Sequence, residues 1–282
     1  MFADYHVHSE FSDDSDYPME EIVEEALKMG MNELCFTDHV DYGVKRDWDD
    51  PRGILYRKDG AGEPTNIALA NVDYPRYVEK IRMLQERYQD RLTIRLGMEF
   101  GMQRHTIPQF EALFRRYPFD FILLSVHQVE DKEFWTGDFQ RGHIQRELYM
   151  QYYGELLSLV ENYHDYSVLA HLDLISRYDP IGGFLFSEVE DIIEQILKRV
   201  IADGKGIEVN TSCFRYGLDM TPCREILNLY RDLGGEILTI GSDSHKREHL
   251  GASIPETMNE LKSMGFKQIC TFERMKPKFH SL

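Results

Sequence analysis

Paired cysteines are missing from this 282-residue sequence: Cys35, Cys213, Cys223 and Cys270 fall at neither zinc-ribbon nor disulfide spacing. All four are expected to be reduced and mostly buried. Apolar runs long enough to cross a bilayer are missing as well, and so is the basic-then-apolar opening of a secretory signal; a cytoplasmic protein without membrane attachment is expected. Positive charge is scarce, since 32 Lys and Arg stand against 49 Asp and Glu for a formal net charge of −17. Such a chain exerts no general pull on nucleic acid or an anionic membrane. A phosphorylated substrate must then be drawn in locally, by bound cations or by a few placed arginines. Internal repeats, low-complexity segments and shifts of composition are also absent. One domain over residues 1–282 is expected, as a monomer or small homo-oligomer.

What is present is a regular rhythm of strand, loop and helix. Phe2 to His8 reads as a strand, and Ile22, Val23, Ala26 and Leu27 recur at helical spacing between Pro18 and Gly30. Glu33 to Thr37 is a second strand that delivers Asp38 and His39 into a loop. Residues 41–72 are polar and without periodicity, a length that suggests a lid or substrate loop. A helix capped by Asp73 follows, then strands over 92–97, 119–124, 167–170, 206–209 and 237–240, each separated from the next by a helical stretch. Ser187-Glu188-Val189-Glu190 has the form of a capping box that opens the helix running through Val200. A last helix near 256–264 and a short strand near 268–271 close the chain. Repeated about seven times, this order implies an α/β fold with a parallel sheet; closure into a barrel is the simplest arrangement, with an open doubly wound sheet as the alternative.

The strand ends carry the chemistry. His6 and His8 share one side of the first strand, because side chains two apart in extended chain face the same way. His39 follows the second strand, Glu99 the third, His127 the fourth, His171 the fifth, and Asp243 and His245 the last long one. In a parallel barrel these ends gather at one face. With Asp13, in the polar turn after His8, they make nine nitrogen and oxygen donors, too many for one tetrahedral ion; two or three divalent ions, zinc, iron or manganese, are expected, with Glu99 bridging.

These motifs, His6-Val7-His8 with Ser12-Asp13, Thr37-Asp38-His39, Gly97-Met98-Glu99, Ser125-Val126-His127, Ala170-His171-Leu172-Asp173 and Ser242-Asp243-Ser244-His245, resemble the PHP (polymerase and histidinol phosphatase) superfamily in type and order. Within it, the layout is most like the histidinol-phosphate phosphatase branch, including the run from His171 to Arg177 and Tyr178. The resemblance implies a distorted TIM-like (β/α)7 barrel with its active site at the C-terminal strand ends. It also implies one ion on His6, His8, Glu99 and Asp243, a second on Glu99, His127 and His171, and a third on Asp13, His39 and His245. The family's phosphate ligands map to Arg177 and Arg215, and its activity implies hydrolysis of a small phosphate monoester, L-histidinol phosphate in that branch, by metal-activated hydroxide. Asp243, His245 and a metal-bound water are the candidate proton donors to the leaving alcohol.

Taken singly, a histidine at a strand end is an ordinary residue, and Arg177 and Arg215 are equally read as surface charges. The grouping is what carries the reading, and His105, His143, His164, His249 and His280, which fall outside it, are set aside. Asp38 and Asp173 are read as partners that orient the neighbouring imidazoles. Rival functions are a phosphodiesterase or nuclease built on the same metals, disfavoured by the negative charge, and a metal-dependent regulatory module.

Overall fold

The computed structural model describes residues 1–58 and 63–282. Seven parallel strands run in sequence order around the sheet: Ala3–Val7, Glu33–Phe36, Thr93–Gly101, Phe121–Ser125, Val168–Leu169, Gly206–Asn210 and Leu238–Gly241. Closure is nearly complete, since the backbone after the seventh strand returns to the first: His8 N–H donates to Ser244 O at 2.8 Å and Ser244 N–H to His6 O at 3.2 Å. The expected barrel is therefore observed.

Helices α1 (Met19–Lys28), α2 (Tyr74–Tyr88), α3 (Ile107–Phe114), α4 (Gln145–Asn162), α5 (Glu190–Ala202), α6 (Arg224–Asp232) and α7 (Ile254–Ser263) cover the outside. Helix α1 buries Met19, Ile22, Val23 and Ala26, the i, i+3, i+4, i+7 stripe that faces the sheet. Asp73 caps α2 as its side chain accepts from Arg76 N–H. The barrel interior is a separate small core of Ala3, Tyr5, Cys35, Phe121, Leu123, Val168 and Ala170, closed by Cys270 and Phe272. Those last two belong to an antiparallel hairpin, Gln268–Glu273 with Lys276–Ser281, so the final strand expected from sequence pairs outside the main sheet. The hairpin is pinned where Phe272 N–H donates to Tyr5 Oη and the Tyr5 hydroxyl to Glu33.

Three sequence expectations need correction. Residues 41–72 contain a second antiparallel pair, Leu55–Lys58 with Pro64–Leu69, that two-residue periodicity did not expose; residues 59–62 of the expected lid lie outside the described residues. The capping box at Ser187 does not form, because Phe186–Glu188 is a tight 3-10 turn and α5 starts after Val189 without a side-chain cap. His39 sits in a two-residue strand, His39–Val40, rather than in a loop; it pairs with the third barrel strand so that His39 and Glu99 lie side by side.

Asp4 ties the closure together. Its buried carboxylate accepts from Ser242 N–H at 2.8 Å, Ser242 Oγ at 2.5 Å and Gly251 N–H at 2.9 Å, joining the first strand to the loops after the seventh. Burial pushes its pKa up, and these donors offset only part of that rise. Asp4→Ala strands two buried N–H groups and should cost about 2–5 kcal/mol in denaturant unfolding; a variant as stable as the parent would show that closure does not depend on Asp4.

Candidate metal centre

A register shift between Asp4 and Val7 re-aims the first strand, so that Tyr5 packs in the barrel core against Phe121 while His6 and His8 both face the C-terminal end. There they meet Glu99. Its Oε2 lies 3.2 Å from His6 Nε2, 3.5 Å from His8 Nε2 and 3.0 Å from His39 Nδ1, and its Oε1 lies 3.1 Å from His127 Nε2 and 2.9 Å from His171 Nε2. Asp243 Oδ1 stands 3.7 Å from His6 Nε2 and 3.5 Å from His8 Nε2. Four overlapping groups have donor atoms close enough to share an ion: His6, His8 and Asp243; His6, Glu99 and His171; His39, Glu99 and His127; and His8, Asp14, His39 and His245.

Eight of the nine residues expected as ligands are thus brought together. Asp13 is not among them. Its Oδ1 is 2.6 Å from Lys45 Nζ, and the neighbouring Asp14 takes the expected place, with Oδ2 3.4 Å from His39 Nε2 and 3.2 Å from His245 Nε2. Two adjacent aspartates in one polar turn carry the same pattern signal, and only the fold chooses between them.

The donors fit divalent ions. His6 Nε2, His8 Nε2, His39 Nδ1 and Glu99 Oε2 are buried and make no hydrogen bond among the described residues, although the three nitrogens stand 3.0–3.5 Å from the carboxylate oxygen. Such buried polar groups are costly unless a cation joins them. Charge follows the same logic. Burial raises a carboxyl pKa, yet His6, His127 and His39 hold Glu99 well below the usual range, and His6, His8 and His245 do the same for Asp243. Burial lowers an imidazole pKa, and for His8 it wins, aided by His245 and His39. For His6, Glu208, Glu99 and Asp243 outweigh it, and for His127 the nearby Glu99 and Asp41 push the value up to about 9.

Residues that sequence reading passed over fix the rings. Glu208 Oε1 lies 2.7 Å from His6 Nδ1 and its Oε2 accepts from His171 N–H at 2.9 Å. Asp41 Oδ1 lies 2.8 Å from His127 Nδ1. A charged residue at the centre of Gly206–Asn210, buried at every position, was the available signal for Glu208. Gly101 and Gly241 leave the room: a Cβ at the first would meet Asp41 Oδ1 at 1.8 Å, and at the second Glu208 Oε1 at 2.4 Å. Asp38 does not touch the His39 ring as expected. It accepts from Ser9 and Ser12, and Ser12 Oγ in turn accepts His39 N–H and lies 3.2 Å from His8 Nδ1. Asp173 likewise binds Cys223 N–H rather than an imidazole.

Above the cluster opens a cleft of about 440 Å³, walled by Phe134, Trp135, Tyr178, Arg177, Arg215 and Tyr216 among others. Arg177 stacks on the Tyr216 ring at 4.2 Å and donates through Nη2 to Ser212 Oγ at 2.5 Å, with Nη1 3.8 Å from Asp243 Oδ2. Arg215 grips the carbonyls of Ser242 and Asp243 at 2.9 and 2.8 Å. His249, set aside from sequence, also lines this cleft.

Fold and cluster together define a barrel protein with a metal-binding site at the C-terminal ends of its strands. The chain belongs to the PHP domain family, whose model matches residues 4–212. It is 30% identical to the histidinol-phosphatase of Lactococcus lactis over 97% of this chain and 95% of that protein, and 28% identical to a probable histidinol-phosphatase of Thermotoga maritima over 94% of each. The crystal structure of the Lactococcus lactis histidinol phosphate phosphatase, complexed with zinc, L-histidinol and phosphate, superposes with a TM-score of 0.81 at 29% identity and covers 98% of both chains. Among the described residues, no helix is long and apolar enough to cross a membrane.

A pH dependence follows from the His127 shift. A folded pKa of about 9 against an ordinary 6.5 means that the native metal-stripped protein holds a proton the unfolded chain lacks between those values. That contribution is full below 6.5 and lost as pH rises through 9, so stripped protein should lose stability across the window while loaded protein, its ring nitrogen committed to an ion, should not. Denaturant melts of both forms at several pH values check this; a stripped form that grows more stable with pH would contradict it.

Proposed function

We propose that the chain is a metal-dependent phosphate monoesterase that hydrolyses L-histidinol phosphate to L-histidinol and phosphate, as one catalytic domain over residues 1–282. The observation that carries the reading is Glu99, whose two oxygens face five imidazoles where the strand ends converge, in a chain that aligns end to end with histidinol-phosphatases. The metal ligands are proposed to be His6, His8, Asp14, His39, Glu99, His127, His171, Asp243 and His245, holding two or three ions of zinc, iron or manganese. Divalent ions there supply Lewis acidity toward phosphoryl oxygen and a water acidic enough to ionise near neutral pH.

The chain's own residues do the rest. Arg177, clamped by Tyr216 and Ser212, lines the cleft, where its guanidinium would donate to phosphoryl oxygens. Arg215 lines the same wall, and by holding two carbonyls it also fixes the backbone that presents Asp243. Asp243 and His245 stand at the edge of the cluster, with His245 Nδ1 3.0 Å from Asp243 O; as ligands they would hold a water there that gives its proton to the leaving alcohol. Phe134, Trp135 and Tyr178 form an apolar wall for the organic part of the ester and keep bulk water from it.

Phosphate release from histidinol phosphate should exceed cleavage of a phosphodiester such as bis-(4-nitrophenyl) phosphate by orders of magnitude in metal-loaded protein. A wide preference for the diester would transfer the site to the nuclease reading.

Arg177→Ala should raise KM for the monoester roughly ten- to hundredfold, the range expected when a charge-assisted bond worth about 1.5–3 kcal/mol is lost, with metal content by elemental analysis unchanged. Loss of metal would instead make Arg177 a support of Asp243.

A further inference from the structure

Three aspartates, Asp13, Asp14 and Asp41, lie beside the His39 edge of the cluster, yet only Asp14 joins a ligand group. The other two share one cation. Lys45 Nζ stands 2.6 Å from Asp13 Oδ1 and 2.9 Å from Asp41 Oδ2, with the lysine side chain 8% exposed. Arg57, from the hairpin strand Leu55–Lys58, adds a second positive charge 3.9 Å from Asp13 Oδ2. The lysine is aimed by local structure: Lys45 N–H donates to Asp41 O at 2.9 Å, and Gly43, at φ +101°, lets the chain double back between them.

We infer that Lys45 is a positioning residue that sorts the carboxylates of the metal centre, withholding Asp13 and Asp41 from the ions and leaving Asp14 as the ligand. Asp41 is the more exposed to capture, since its Oδ2 already lies 3.9 Å from His39 Nδ1 while its Oδ1 orients His127. Released from Lys45, that oxygen would be free to turn toward an ion held by His39, Glu99 and His127. His127 would then lose the partner of its Nδ1. A fixed ammonium therefore does two things: it keeps the cluster rich in imidazole nitrogen, and it keeps Asp41 as a hydrogen-bond acceptor. Additional carboxylate ligands would favour harder, oxygen-seeking cations such as manganese over zinc.

This inference rests on the metal-centre reading above, and the test separates the two. Purified protein is stripped, exposed to equimolar zinc and manganese, dialysed and measured by elemental analysis. Lys45→Met should shift the retained manganese-to-zinc ratio at least tenfold toward manganese, and Lys45→Arg should restore the parent ratio. Asp13→Asn should keep the parent's number of bound ions, whereas Asp14→Asn should lose one. Wild-type protein that binds ions while Lys45→Met keeps the parent ratio overturns the sorting role alone; so does loss of an ion from Asp13→Asn with retention in Asp14→Asn, a comparison that decides the matter even if Lys45→Met fails to fold. Wild-type protein that takes up no metal overturns both readings together.

Discussion

Everything at the C-terminal end of this barrel is arranged around one buried carboxylate. Glu99 faces His6, His8 and His39 with one oxygen and His127 and His171 with the other, and these five rings come from the ends of three barrel strands and from the short strand His39–Val40. Such convergence needs strands that end at one level, which parallel pairing around a barrel supplies and local sequence alone does not. The register that places His39 opposite Glu99, and Glu99 opposite Leu123, is therefore a functional quantity as much as a structural one. A slip of one residue in the third strand would turn Glu99 from the cluster toward the helices.

The cluster also stresses the backbone that presents it. His171 and Asp243 both lie at positive φ, 25° and 54°, where residues with a Cβ are disfavoured by roughly 1–3 kcal/mol. Each is held there by a side chain from another element: Glu208 accepts the His171 N–H, and Arg215 donates to the Asp243 carbonyl. Glu208 lies 2.7 Å from His6 Nδ1 as well, so one carboxylate fixes a ring on the first strand and the backbone after the fifth. Supports of this kind set ligand geometry before any ion arrives, which lowers the reorganisation that binding requires.

How much of this was written in the sequence depends on whether the signal is local. Strand ends bearing His6, His8, Glu99, His127, His171 and Asp243 were legible because apolar runs stop where these residues begin, and parallel order then fixed the face they share. That Asp14 rather than Asp13 stands beside His39 and His245 was not legible, since Asp13 is paired with Lys45, 32 residues away in the segment with no periodicity. Glu208 and Asp41 were missed for a related reason: carboxylates that support histidines have no fixed spacing from them. The capping box failed because a tight turn at Phe186–Glu188 consumed the residues that would have formed it.

The excess of acid, which first seemed at odds with a phosphorylated substrate, is distributed in a way that reconciles the two. Glu20, Glu21, Glu24 and Glu25 border a surface cavity beside α1, apart from the residues that line the metal cleft. Only Glu21 of the four is exposed, and Glu20 and Glu25 are paired with Lys80 and Arg247, so the repulsion of a long polyanion rests on the net charge of the whole surface, which acts over roughly 10 Å before salt screens it. A small monoester meets it only in passing. Inside the cleft the balance would change sign locally once divalent cations completed the buried donors, since Arg177 and Arg215 already stand on the wall above them. Charge at long range and charge at contact therefore select together for a small, compact phosphate, which is the same substrate class that the aromatic wall of Phe134, Trp135 and Tyr178 has room to hold.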